Sequence, residues 1–223
     1  MSQIGTMGTT AGETLTLNLP YTPQYISVGN TYAGTLELTN FSVSINGQET
    51  INLVGADNID AVGQARRQVN AQDGSGGAGL PYTYLEISDG FISAPTLIRL
   101  TNEGTTANIV RGVSKAVGTA PYRYSQFTVN ATSNQEFSDF DSILMNDSAS
   151  IDSVEIQWVD GYKDRFDYLE LPVLFGDMYS ANNQSMFSAS GDISYINNED
   201  GNIANMTVYT NATSSVTCTV GRI

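Results

Sequence analysis

The residues of this chain that could do chemistry are carboxylates set close together: Asp139 with Asp141, Asp160 with Asp164, and Glu199 with Asp200. Two carboxyl groups facing each other across a sugar ring suffice to hydrolyse a glycoside, one as acid and the other as base or nucleophile. Spacing along a chain does not create that opposition, and acids so close in sequence ordinarily decorate turns and surfaces. Histidine is absent from the 223 residues. Its absence removes the commonest general base near neutral pH, the triads built on it and most zinc ligand sets. The sequence therefore predicts no enzyme and no catalytic residue. The run Asn197-Asn198-Glu199-Asp200-Gly201-Asn202 offers oxygen ligands that suit calcium, without the distal bidentate acid of a complete loop. No other cofactor is expected. The glycine-rich stretch at 73–79 lacks the Lys and the following helix of a phosphate-binding loop.

Aromatic residues suggest a different chemistry. Tyr21, Tyr25, Tyr32, Tyr122, Tyr124 and Tyr179 fall in or near predicted loops, where a ring with a polar tip can stack on a sugar or sit in a subunit contact. A carbohydrate- or receptor-binding sandwich, such as a viral spike or lectin-like module, is thus one reading and self-association the other. The formal net charge is −14, of which −5 lies in residues 1–112 and −9 in the remainder. Duplex binding relies on Lys and Arg displacing counterions, so direct nucleic-acid binding is not expected. The local concentration of Arg99, Arg111, Lys115 and Arg123 is read as pairing with acids across an interface.

The single cysteine, Cys218, alternates with Val216 and Val220 and reads as a buried strand residue. No secretory signal or membrane-length apolar run is visible, which points to folding in a cytoplasm. The sequons are read as compositional.

These residues must be positioned by strands. Thr14-Leu15-Thr16-Leu17-Asn18-Leu19 alternates and stops at Pro20. Further strands are expected at 25–28, 35–39, 41–45, 50–54, 82–87, 96–100 and 109–113. In the second half they fall at 123–129, 142–145, 154–159, 163–166, 186–190, 193–196, 204–210 and 216–220. Residues 1–12 read as a polar, Gly- and Thr-rich tail. Helical periodicity appears over 57–69, with Ile59, Val62, Ala65 and Val69 on one face and Asp57 as cap, and more weakly over 167–175.

One pattern occurs twice, about half a chain apart. Ser42-Val43-Ser44-Ile45-Asn46-Gly47 begins a hairpin followed by a helical stretch, and so does Ser153-Val154-Glu155-Ile156-Gln157-Trp158-Val159-Asp160-Gly161. Val43 aligns with Val154, and Val154, Ile156 and Trp158 are expected to share an inward face. Repetition at domain length predicts an all-β chain of two tandem jelly-roll sandwiches, each with a short helix. The boundaries read as 1–113, a connection at 114–121, and 122–223.

With Leu15-Thr16-Leu17-Asn18-Leu19-Pro20 and the two repeated strings, the chain resembles the double jelly-roll major capsid proteins of tailless, icosahedral, membrane-containing bacteriophages, of the corticovirus type. The resemblance covers most of the chain. It implies a shell protein that forms pseudo-hexagonal homotrimers, tiles a capsid lattice with other capsid and vertex proteins, and surrounds an internal membrane or its proteins.

Overall fold

The computed structural model describes residues 2–29, 38–55, 58–59, 62, 82–102, 108–146, 150–167, 170, 193–198 and 200–223. These form two compact units, Met1–Ser125 with Ile223, and Gln126–Arg222.

The first unit contains β1 (Ser2–Met7), β2 (Thr14–Leu19), β3 (Tyr25–Gly29), β4 (Leu38–Ile45), β5 (Gln48–Val54), β6 (Tyr82–Glu86), β7 (Thr96–Asn102) and β8 (Asn108–Val113). Its strands order as β1-β8-β3-β6 in one sheet and β5-β4-β7-β2 in another. The two sheets share one core. Ile26, Val28, Leu85 and Val110 from the first meet Leu17, Phe41, Val43, Ile51, Leu53, Ile98 and Leu100 from the second. Alternation makes this possible, because residues two apart on a strand face the same side: Phe41, Val43 and Ile45 of β4 are all buried.

Eight more strands follow: β9 (Arg123–Val129), β10 (Asn134–Ser138), β11 (Ser142–Asn146), β12 (Ile151–Trp158), β13 (Lys163–Asp167), β14 (Ile193–Asn197), β15 (Ile203–Thr210) and β16 (Val216–Arg222). They order as β9-β16-β11-β14 and β13-β12-β15-β10. Adding eight to each strand number of the first unit gives these orders, so the two units are one topology written twice. The second core gathers Ile143, Met145, Val154, Ile156, Met206, Val208, Val216, Cys218 and Val220.

Register refines the expected repeat. Phe41 pairs with Leu53 and Leu100, and Val154 pairs with Phe166 and Val208. Phe41, not Val43, is therefore the counterpart of Val154, Val43 corresponds to Ile156, and Ile45 to Trp158.

Three expectations change. Residues 2–7 are not a free tail: β1 pairs antiparallel with β8, and Met7 is buried in the core. A register shift between Gln3 and Gly5 breaks the alternation that would have revealed the strand. β10 also lay hidden, because only Phe137 of its five residues faces inward. The connection expected at 114–121 is tied to the first unit, and the chain divides instead between Ser125 and Gln126. Lys115 N–H donates to Gln24 Oε1 at 3.0 Å, and Asp89 accepts from the N–H groups of Thr119 at 2.8 Å and Ala120 at 2.9 Å.

Of the expected first helix, Asn58, Ile59 and Val62 are described and helical, with Ile59 and Val62 buried. Of the second, Glu170 accepts from Asp167 N–H at 2.9 Å. The remainder of both, and the strand expected at 186–190, lie outside the described residues.

Candidate assembly surfaces

Each unit has two unlike ends. In the first, the turns β2–β3, β4–β5 and β6–β7 meet at one end: Asn46 N–H donates to Pro95 O at 2.9 Å, and Thr22 and Ile92 exchange both backbone bonds. The turn β1–β2 and the segment after β5 meet at the other, where Gly12 N–H reaches Asn102 O and Gly55 N–H reaches Thr39 O. The second unit repeats this. Asn198 N–H bonds Asp141 O and Val159 N–H bonds Asn202 O at its turn end, while Thr132, Ser150 and Asn211 are linked at the opposite end.

While Val54, Phe127 and Ile223 are exposed elsewhere, four exposed large apolar side chains among the described residues lie at the turn ends. Phe91 and the strongly exposed Val117 (86% exposed) lie there in the first unit, with Tyr21 stacked on Phe91 at 5.5 Å between ring centroids. Val159 (64%) and Tyr162 (63%) occupy the turn end of the second. Apolar side chains rimmed by polar ones mark contact surfaces more often than solvated ones. Charged groups of both signs surround them: Lys115, Arg123, Glu49 and Asp89 at the first, and Asp139, Asp160, Asp200 and Lys163 at the second.

Asp89 organises the first of these surfaces. Its carboxylate also accepts from Thr119 Oγ1 at 3.0 Å, and the backbone donors of Ala120 and Thr119 hold its carboxyl below the ordinary 3.8, against a smaller push upward from burial. Gly90 and Gly118 allow the clamp to close. A Cβ built on Gly90 would stand 2.5 Å from Gly118 N, too near for any other residue without movement.

The carboxylate pairs serve turns. Asp139 is exposed at φ 53°, its backbone oxygen accepts from Arg222 Nε, and its carboxylate lies 3.9 Å from the same nitrogen. Asp141 contributes its backbone to Gly221 and Asn198. Asp160 accepts from Tyr162 N–H at 3.0 Å, and Asp164 accepts from Trp158 Nε1 at 3.0 Å, so each member of that pair holds a different part of one hairpin. Asp200 is exposed, and Glu199 lies outside the described residues. Among the described residues no three His, Cys, Asp or Glu side chains gather into a metal-sized group. In the oxygen-rich turn at 197–202, the buried Asn198 amide faces inward. Its Nδ2 donates to Phe140 O at 2.9 Å and Ile203 O at 3.0 Å, while Oδ1 accepts from Ile203 N–H at 2.8 Å.

The tyrosines divide. Tyr122 and Tyr124 are buried, Tyr21 and Tyr25 are half-buried, and Tyr32 and Tyr179 lie outside the described residues. Lys115 Nζ sits 5.5 Å from the centroid of the Tyr25 ring. Arg99 and Arg123 are exposed on β7 and β9, and Arg111 is half-buried on β8. Sequence reasoning did not single out Phe91, Val117 or Asp89. The pair of loop glycines that permits the clamp was the available signal.

Trp158 is only half-buried and packs against the rim of the second core, while Val154 and Ile156 are fully buried. Trp158 thus shares the inward face with Val154 and Ile156 but lies at its edge, half-exposed.

Comparison with solved structures matches the doubled topology over nearly its whole length. The major capsid protein P2 from bacteriophage PM2 aligns with 96% of this chain and 92% of its own, at a TM-score of 0.57 and 14% identity. The STIV major capsid protein aligns with 97% of this chain and 93% of its own, at 0.60 and 10%. The PBCV-1 virus capsid aligns with 99% and 92%, at 0.53 and 8%. The fold is a double jelly-roll. No family model matches the chain, and no curated protein does. At identities this low the likeness shows the fold alone. No helix among the described residues is long and apolar enough to cross a membrane.

Proposed function

We propose that this chain is a viral major capsid protein whose activity is self-assembly. The observation that carries the reading is the paired eight-strand order, matched across at least 96% of the chain by three capsid structures. Each sandwich is a compact unit with its own core, and two similar units per chain suit tiling better than catalysis. The turn-serving carboxylates and the missing histidine agree with a protein that does no chemistry on a substrate.

The finer reading is a homotrimer of pseudo-hexagonal outline in the icosahedral shell of a bacteriophage with an internal membrane, made and assembled in the host cytoplasm. Three doubled units give six similar blocks around an axis, which is the physical basis of a hexagonal outline from a threefold oligomer. The exposed apolar turn ends suit contact with neighbouring capsid or vertex proteins, or with the membrane or its proteins. A net charge of −14 favours enclosing a genome without touching it. Calcium at the 197–202 turn belongs to the same proposal at most as a stabiliser of that turn.

Quantitative mass spectrometry of gradient-purified virus particles tests the reading. The chain should be among their most abundant proteins, at hundreds of copies or more per particle on the order expected of a lattice subunit. Its absence from particles, together with specific binding on a glycan array, would support the carbohydrate- or receptor-binding alternative.

A further inference from the structure

Topology that repeats after eight strands makes a definite statement about the strands at its margins. In the first unit, β5 does not end its sheet on bare backbone: Ile51 forms a parallel bridge with Tyr124, at the start of β9. β9 is the repeat counterpart of β1, and β5 is the counterpart of β13. Among the described residues, β13 has only β12 beside it and β1 has only β8, so each presents one open edge. The repeat thus contains a contact, β5 to β9, whose next occurrence would be β13 to a further copy of β1. Among the described residues one chain supplies no such strand. A second copy does.

We infer that β13 of one subunit receives β1 of another subunit in parallel, reproducing between chains the contact that Ile51 and Tyr124 make within the first unit. This rests on the self-assembly reading and names the surface that carries it. Counterparts locate the pairing. Ile51 corresponds to Asp164, because Val43 pairs with Ile51 and Ile156 pairs with Asp164. Met7 and Val129 are the buried last residues of β1 and β9, so the start of β9, where Tyr124 lies, corresponds to the start of β1, before its register shift. The new contact therefore centres on Asp164 and the first residues of β1.

The repeat favours this partner over the simplest competitor, a second β13. An open edge is a template for any strand, and proteins restrict it with charged side chains. β13 reads Lys163-Asp164-Arg165-Phe166-Asp167. Two β13 edges meeting antiparallel about a twofold axis through the strand centre would set Arg165 against Arg165 but Lys163 against Asp167 twice, so charge does not reject that pairing. The β5 to β9 contact does, because the strand it sets against the edge is the counterpart of β1 and runs parallel. β1 reads Ser2-Gln3-Ile4-Gly5-Thr6-Met7 and brings no charge at all. The contact is heterologous, since different surfaces meet, and it closes into a ring when the rotation between subunits permits. Backbone hydrogen bonds supply its affinity, as in other strand additions.

Cross-linking of full-length chains tests it directly. Gln3→Cys and Lys163→Cys are made separately, with different tags, and co-expressed. Lys163 is exposed and its ion pair with Glu155, at 3.0 Å, is a surface one, so its loss is mild. The native Cys218 is silent, because burial pushes its thiol up to about 12 and closes it to reagent. A short bismaleimide at pH 7 should join the two tagged chains into a covalent dimer, at least about tenfold more than in either variant alone, since a heterologous contact never brings two identical positions together. A chain carrying both substitutions should give higher covalent oligomers. An oligomer that forms normally but yields no mixed dimer, or in which each variant cross-links to itself equally well, overturns the β13 to β1 pairing while leaving self-assembly standing. Sedimentation of the same samples as monomers overturns self-assembly and the pairing together.

Discussion

The hairpins β4–β5 and β12–β13 occupy equivalent places in the two units and solve the same problem differently. In the first, Asn46 at φ 52° and Gly47 at φ 77° close a two-residue turn, with Ile45 opposite Gln48. Left-handed backbone at both central positions matches the strand twist, and Asn-Gly reaches it at low cost. In the second, Trp158 N–H bonds Tyr162 O, Gly161 N–H bonds Trp158 O, and Gly161 takes the single positive angle, φ 88°. The longer turn lifts Val159 and Tyr162 into solvent and leaves Trp158 half-buried, where its counterpart Ile45 is buried. Shared strand order with unshared turns shows that the fold is specified by the inward faces of β4, β5 and their equivalents. The turns are then free to carry surface chemistry.

That division predicts a ranking of substitutions. The largest effect should come from the inward face. Phe41→Ala should cost about 3–5 kcal/mol, and its smaller counterpart Val154→Ala about 2 kcal/mol, because cost follows the apolar volume removed. Denaturant titration of both variants checks this, and equal small losses would break the correspondence between the hairpins. Asn198→Ala should follow at about 2–3 kcal/mol, since it strands Ile203 and Phe140 backbone groups in a buried turn. Thermal unfolding with and without a chelator sharpens the result: an Asn198 that acts through its own hydrogen bonds loses the same stability in both conditions.

Trp158→Ala should cost about 2 kcal/mol, less than for a fully buried aromatic, and Trp158→Phe should account for part of that through the lost bond to Asp164. A loss as great as that of Phe41→Ala would place Trp158 fully inside the core and contradict its half-buried position. The smallest effect is electrostatic. Asp89 has its folded carboxyl held below its unfolded value, so its clamp on Thr119 and Ala120 contributes stability above the ordinary 3.8 and loses it as pH falls through the lower folded value. Asp89→Asn should remove that acid-side step while leaving the rest of the pH profile unchanged.

Much of this architecture was legible in the residues. Strands with clean alternation, such as Thr14–Leu19, and those with dense β-branched residues, such as Val216–Val220, declared themselves. β1 and β10 did not, for two different reasons. A bulge beside Ile4 shifts the alternation of β1, and β10 buries one side chain, leaving no period to detect. The repeat was visible as a hairpin motif but slipped by two residues, because Val43 and Val154 share a residue type without sharing a pairing position. A two-residue slip preserves the inward face, so hydrophobic pattern alone does not reveal it. The assembly surfaces were the least legible part. Val117 and Phe91 are separated in sequence and meet only because Asp89 and two glycines fold 114–121 back onto the first unit.

Sedimentation velocity on the purified chain at moderate salt tests the central claim most directly, since a shell protein must associate with itself before anything else. The account predicts a stable trimer near 72 kDa, three times the 23.9 kDa chain mass. A monomer that persists as the protein concentration is raised would contradict it.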